Sequence, residues 1–162
     1  MRPTLDAPYP RFQLRTRAGT IYTEISGYKY MVESVAGFGI SNRNALDLSG
    51  LDCIRIKNSS KTQDLALITE RTVWIYPGYC WNGADWASDK NFLDGSLIHD
   101  LLCQAMNSGL ISPSNHKNAT AIMTAENKRS GMNVVRLCYT RASVNAHWTH
   151  KVKSMPWPPV PK

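Results

Sequence analysis

The residues best suited to chemistry lie close together between positions 81 and 100. An adjacent pair, His99 and Asp100, follows a glycine-containing loop with the sequence WNGAD at residues 81–85. Imidazole titrates near neutral pH, so His99 could act as a general base. The carboxylate of Asp100 could orient that base or bind a hard cation. We therefore predict that a chemical site, if the chain has one, contains this loop and this pair.

The pair is predicted to lie near the start of a helix over about residues 95–108. Apolar residues recur at helical spacing through this stretch, Asp94 or Ser96 can serve as the N-cap, and an Asn-Ser-Gly sequence can end the helix. Successive residues on a helix are about 100° apart, so His99 aligns with Cys103 and not with its neighbour. One member of the pair is therefore expected to point toward the core.

Two interpretations of the pair remain open. In the structural one, His99 donates to a backbone carbonyl and Asp100 accepts from the preceding loop, so both are satisfied core groups. In the functional one, His99 is a catalytic base, and Asp100 joins Asp85 and Asn82 in supplying oxygen ligands to a divalent cation such as calcium. The loop residues that would support this site are Trp81, Gly83 and Ala84.

The order of these features resembles a family of phage- and prophage-encoded domains of unknown function. In that family, a loop with an Asp-Gly-Ala-Ser or Trp-Asp-Gly-x-Ser sequence precedes a helix with a His-Asp-x-Leu-Tyr sequence. The resemblance covers about residues 64–145, and the residues that carry it are Trp81, Gly83, Ala84, His99, Asp100, Leu102, Gly131 and Met132. It implies a phage or prophage protein of the host cytoplasm or the virion.

The chain departs from the family pattern at four positions. Asn82 and Asp85 stand where the family loop has Asp and Ser, Cys103 stands where the helix has Tyr, and Thr120 stands where a further helix has Asp. Asp85, three residues along the same loop, could compensate for the carboxylate missing at position 82.

A weaker resemblance is to the phospholipases A2. Those enzymes place a glycine-rich calcium loop before a helix with a His-Asp pair, in which the His activates water and the Asp binds calcium. Residues 79–83 precede His99 and Asp100 in the same order, but the dense disulfide framework of the secreted enzymes is missing. The resemblance implies metal-assisted hydrolysis of lipid or cell-wall material.

Length and composition predict one domain over residues 1–162. Such a chain can bury about 68–70% of its unfolded surface. The net charge of +7 favours acidic partners, but the basic residues are scattered and accompany no nucleic-acid motif, which argues against nucleic acid. The chain shows no apolar N-terminal segment that would indicate secretion and no apolar run of about 20 residues that would span a membrane.

The predicted fold class is α+β, with a small N-terminal antiparallel sheet followed by three helices. Strands are predicted at 12–15, 20–25, 28–32, 52–57, 65–69 and 72–76, loops at 36–48 and 78–90, and helices at about 95–108, 113–130 and 133–148. The proline-rich ends, an arm over 1–10 and a tail over 149–162, suit docking on other phage structural proteins or the host envelope.

Two functions remain open at this point. The first is a hydrolase-like phage protein in which His99 and Asp100 are catalytic. The second is a non-catalytic virion component, associated with the tail or capsid, in which the same pair is structural.

Overall fold

The computed structural model describes residues 13–15, 21–24, 30–58, 61–81 and 91–154, with side chains described within 30–58, 61–81 and 91–146. The strands are β1 (Gln13–Arg15), β2 (Ile21–Glu24), β3 (Tyr30–Val32), β4 (Ala36–Gly39), β5 (Cys53–Lys57), β6 (Asp64–Thr69), β7 (Thr72–Ile75) and β8 (Cys80–Trp81). The helices are α1 (Leu93–Asn107), α2 (His116–Arg129) and α3 (Val134–Ser154). Antiparallel strands are followed by three helices, so the predicted α+β class is confirmed.

Within this part of the chain, the strands form two four-stranded antiparallel sheets in place of the single small sheet that was predicted. Their orders are β1-β2-β3-β8 and β4-β7-β6-β5. The strands β4 and β8 fall in stretches predicted as loops, so those two loop predictions were wrong over these residues. Residues 82–90, the rest of the second predicted loop, lie outside the described residues.

The strand β4 shows why its sequence resembled a loop. Ala36 and Phe38 are buried, while glycine occupies both alternate exposed positions, so the apolar and polar alternation typical of a strand is weak. Gly37 leaves room for the Trp74 side chain on β7, because a Cβ at position 37 would lie 2.5 Å from the Trp74 ring. The strand forms because it pairs with β7, with Gly37 opposite Trp74, and this pairing is a tertiary contact.

One face of the second sheet supplies much of the core. Its buried residues alternate along β5, β6 and β7, and cross-strand partners such as Ile68 and Val73 bury their side chains on the same face. The buried residues of this face are Ile54, Ile56, Ala66, Ile68, Val73 and Ile75. They belong to one apolar cluster with the helix α1.

Helix α1 lies at the centre of the molecule and is buried on all sides. Every residue from Leu93 to Met106 is buried. The predicted caps were wrong, because Phe92 occupies the N-cap position without a side-chain cap and Asp94 and Ser96 lie inside the helix. A helix surrounded by protein has no polar face, which is why its polar residues are buried with the apolar ones.

The other helix boundaries follow local signals more closely. Ser112 accepts a hydrogen bond from the Ser114 N–H at 3.2 Å at the start of a 3-10 turn that leads into α2, which confirms the predicted capping role. Gly131 has φ +91° just after α2, as expected of a glycine stop. Helix α3 continues to Ser154, past its predicted end at 148 and into the segment predicted as a tail. Residues 1–10 and 155–162 lie outside the described residues.

None of the helices in the described part of the chain is long and apolar enough to cross a membrane.

Candidate functional site

The His99–Asp100 pair lies within α1 and is almost inaccessible. Each of the two residues is 4% exposed. The sequence predicted that one of them would point toward the core; both are buried, because α2, α3 and the strands surround α1. Of the three predicted metal ligands, only Asp100 is described, since Asn82 and Asp85 lie in residues 82–90. Gly83 and Ala84, predicted to support the site, lie in the same segment.

The two side chains are close enough to interact as a charge pair. The Nδ1 atom of His99 lies 3.8 Å from Oδ1 of Asp100. The other carboxylate oxygen of Asp100, Oδ2, has no hydrogen-bond partner among the described residues. A buried carboxylate without a charge partner is costly, so His99 is what compensates Asp100 within the core.

The sulfur of Cys103 completes this cluster on the next turn of α1, as the i, i+4 spacing predicted. It lies 3.7 Å from Nδ1 and 3.6 Å from Nε2 of His99. The directions of the two ring N–H groups diverge, so an atom equally far from both nitrogens is aligned with neither. Cys103 therefore contacts the ring without a well-directed hydrogen bond.

The surroundings of His99 favour its protonated form. Burial lowers the pKa of the imidazole, but the interactions with Cys103 and Asp100 outweigh it and raise the pKa to about 9. At neutral pH the ring is then an imidazolium paired with a carboxylate. A protonated imidazole cannot accept a proton, so it could act as a general base only after losing one.

Two buried side-chain hydrogen bonds join α1 to β8 and to the residue just before that strand. The Tyr79 hydroxyl donates to Oε1 of Gln104 at 2.8 Å, and Nε1 of Trp81 donates to Oγ of Ser96 at 3.2 Å. Tyr79 and Gln104 were not predicted as site residues. A signal was available, because Gln104 is a polar residue in an apolar helix, one turn after Asp100.

A second buried polar cluster lies where α1 meets α2. Its members are the buried side chains Asp94, Glu126 and Asn127. Burial raises the pKa of Glu126, the charge of Asp94 raises it further, and Arg129 opposes both. Both side-chain polar atoms of Asn127 lack a hydrogen-bond partner among the described residues.

A protein metal site needs several ligands brought together in one place. Within the described residues, no group of three or more His, Cys, Asp or Glu side chains could hold a metal ion. The unpaired Oδ2 of Asp100 is a suitable oxygen donor, but one carboxylate does not make a calcium site, which takes six to eight oxygen ligands.

No family model, curated protein or solved structure matches the chain.

Proposed function

We propose that this chain is a phage or prophage protein that acts as a non-catalytic component of the virion and uses the His99–Asp100 pair as a structural charge pair. The phage origin is supported by the resemblance of the loop and helix residues. The structural role is supported by one observation above the others. His99 and Asp100 are each 4% exposed on a helix that is buried from Leu93 to Met106.

Burial on this scale is unsuited to hydrolysis. A general base must come within about 2.6–3.2 Å of the group it deprotonates, directly or through one water. An imidazole enclosed by core residues, and protonated at neutral pH, has little access to either water or substrate. The same features suit a structural pair, because an imidazolium and a carboxylate neutralise each other where neither can reach solvent.

The test is a double-mutant cycle on the pair. His99→Gln leaves the buried Asp100 without its charge partner, and Asp100→Asn takes the charge partner from His99, so each should cost about 3–5 kcal/mol in the free energy of unfolding. The double variant should lose much less than the sum of the two, because it removes both charges. The measurement is urea unfolding at pH 7, with His116→Gln and the exposed Asp52→Asn as controls.

The stability of the two single variants can also overturn the structural role. If both single variants keep their stability within about 0.5 kcal/mol, as surface substitutions do, the pair does not compensate buried charge. The virion assignment is tested separately by mass spectrometry of purified particles, in which the chain should be present in a fixed stoichiometry.

One observation favours a second function. The unpaired Oδ2 of Asp100 would be explained by a divalent cation held together with Asp85, in a hydrolase that acts on lipid or cell-wall material through His99. This alternative predicts that calcium stabilises the protein. The structural interpretation of the pair predicts no effect of calcium on stability.

A further inference from the structure

Helix α3 carries apolar side chains that are largely exposed in the part of the chain that the structure describes. Val134 is 70% exposed, Val135 is 82% exposed and Tyr139 is 67% exposed. At about 100° per residue, the exposed apolar residues from 134 to 146 fall within an arc of roughly 140° on one side of the helix. They are Val134, Val135, Cys138, Tyr139, Ala142 and Ala146, and are called the α3 face.

The opposite side of the same helix accounts for its packing within the fold. Leu137 and Thr140 are buried, and Val144 packs against the cluster that contains Met123 and Met132. Helix α3 thus contacts the body along one side and presents a second apolar side to solvent. The α3 face is not needed to hold the helix in place.

The concentration of exposed apolar side chains on this helix is unusual for the molecule. Three of the seven large exposed hydrophobic side chains in the described part of the chain lie within six residues of α3. The remaining four are dispersed over other parts of the fold, at Val35, Leu51, Trp74 and Leu110. Single exposed apolar residues are ordinary, whereas a contiguous patch marks an interaction surface.

The charges beside the α3 face indicate which partner it fits. Arg136 and Arg141 lie at its two edges, by helical position, and no Asp or Glu occurs anywhere in α3. A second copy of the chain would bring its own arginines and a net charge of +7 toward this surface, which is unfavourable. A partner with carboxylates on both sides of an apolar stripe would be attracted.

We infer that the α3 face binds an acidic amphipathic helix of another protein. Its apolar stripe would pack on Val135, Tyr139 and the small residue Ala142, and a Glu or Asp side chain flanking that stripe would pair with the exposed Arg141. Residues 134–146 span about 20 Å at 1.5 Å per residue, which matches a partner helix of three to four turns. The inference extends the proposed role as a virion component by naming the surface and partner class through which it associates.

The probe is a designed helical peptide with a leucine stripe flanked by glutamates, and the matched control peptide carries lysines in place of the glutamates. Fluorescence anisotropy of the labelled peptides is measured while full-length protein is added. The acidic peptide should bind at least tenfold more tightly than the basic one, and its affinity should fall as salt is raised.

Variants place the binding on the α3 face. Val135→Asp should weaken acidic-peptide binding at least tenfold, while Val35→Asp, at an exposed valine between β3 and β4, should leave it unchanged. Arg141→Glu should weaken binding of the acidic peptide and strengthen binding of the basic one, a reversal that loss of structure would not produce. Circular dichroism confirms that each variant is folded.

Three outcomes would overturn the inference. The first is equal or absent binding of the two peptides. The second is self-association in sedimentation that Val135→Asp abolishes, which would assign the α3 face to a second copy. The third is binding to anionic phosphatidylserine vesicles that Val135→Asp removes while the acidic peptide fails to bind. None of these affects the double-mutant cycle on His99 and Asp100, so failure here and failure of the structural charge pair are distinguishable.

Discussion

The Tyr79 hydroxyl donates a 2.8 Å hydrogen bond to Oε1 of Gln104, and both side chains are buried. This bond joins the turn before β8 to the central helix, one turn beyond Asp100. Trp81 makes a similar link to Ser96 from β8 itself. Residues 79–81 are therefore held on α1 at two points, and the His99–Asp100 pair lies between Ser96 and Gln104 along the helix.

The Tyr79–Gln104 bond predicts a stability loss that can be separated from packing. Tyr79→Phe removes the donor and keeps the ring, so it should lower the free energy of unfolding by about 1–3 kcal/mol, the cost of a buried acceptor that loses its donor. Adding Gln104→Leu should recover part of that loss. Chemical denaturation measures both, with Tyr139→Phe at an exposed site as the control. A Tyr79→Phe variant as stable as the parent would show that the bond contributes nothing.

The raised pKa of His99 predicts a pH dependence of stability. Its folded pKa, about 9, lies above the model value of 6.5 for the unfolded chain, so the folded protein binds the proton more tightly. This contribution is fully present below pH 6.5 and is lost as pH rises to about 9. Urea unfolding between pH 6 and 9 should show stability falling with pH in the parent and falling less in His99→Gln. Stability that rises with pH across this window would contradict the imidazolium assignment.

Above pH 9, ionisation of the Cys80 thiol also changes the stability, so a measurement there would not report on His99 alone. Burial raises the pKa of that thiol from 9.0 to about 12, so the unfolded thiol ionises first and stability also falls as pH rises above 9. Keeping the titration below pH 9 isolates the His99 contribution.

The contact between α1 and α2 predicts that Gly95 tolerates no side chain. A Cβ at this position would overlap the Asn127 side chain and lie 2.9 Å from the Met123 carbonyl oxygen. Gly95→Ala should therefore lose about 1–3 kcal/mol of stability, although alanine has the higher helix propensity. Gly39→Ala is the matched control, since no atom lies within 4 Å of its Cβ. The melting temperature of Gly95→Ala should be clearly lower than that of Gly39→Ala. Equal melting temperatures would mean that α1 and α2 can move apart at little cost.

Calcium separates the two proposed functions. A ligand that binds only the folded state adds about 2.7 kcal/mol at a hundredfold excess over its Kd. For a structural charge pair, millimolar calcium, magnesium or manganese should leave the melting temperature unchanged. A calcium-dependent rise that Asp100→Asn removes and Asp85→Asn reduces would favour the hydrolase instead.

Some of this structure was determined by the sequence alone, because the signals are local. The cap at Ser112, the stop at Gly131, the helical period of α1 and the alternation along β5 to β7 each depend on a few neighbouring residues, and the structure places these elements within one to three residues of their predicted bounds. The α+β class followed from the order of those elements. The contact of His99 with Cys103 also followed, since i, i+4 spacing on a helix brings side chains together wherever the helix lies.

Tertiary structure decided the rest. The strand β4 exists because it pairs with β7, and β8 exists because it pairs with β3. In both pairs the facing residues are more than 30 positions apart in the chain. The role of the His-Asp pair depends on whether α1 has a face exposed to solvent. A helical pattern in the sequence does not reveal that the strands, α2 and α3 enclose this helix. The cost of burying a charge is set by everything packed around it, so the same two residues would suit an active site at the surface and form a structural pair in this core.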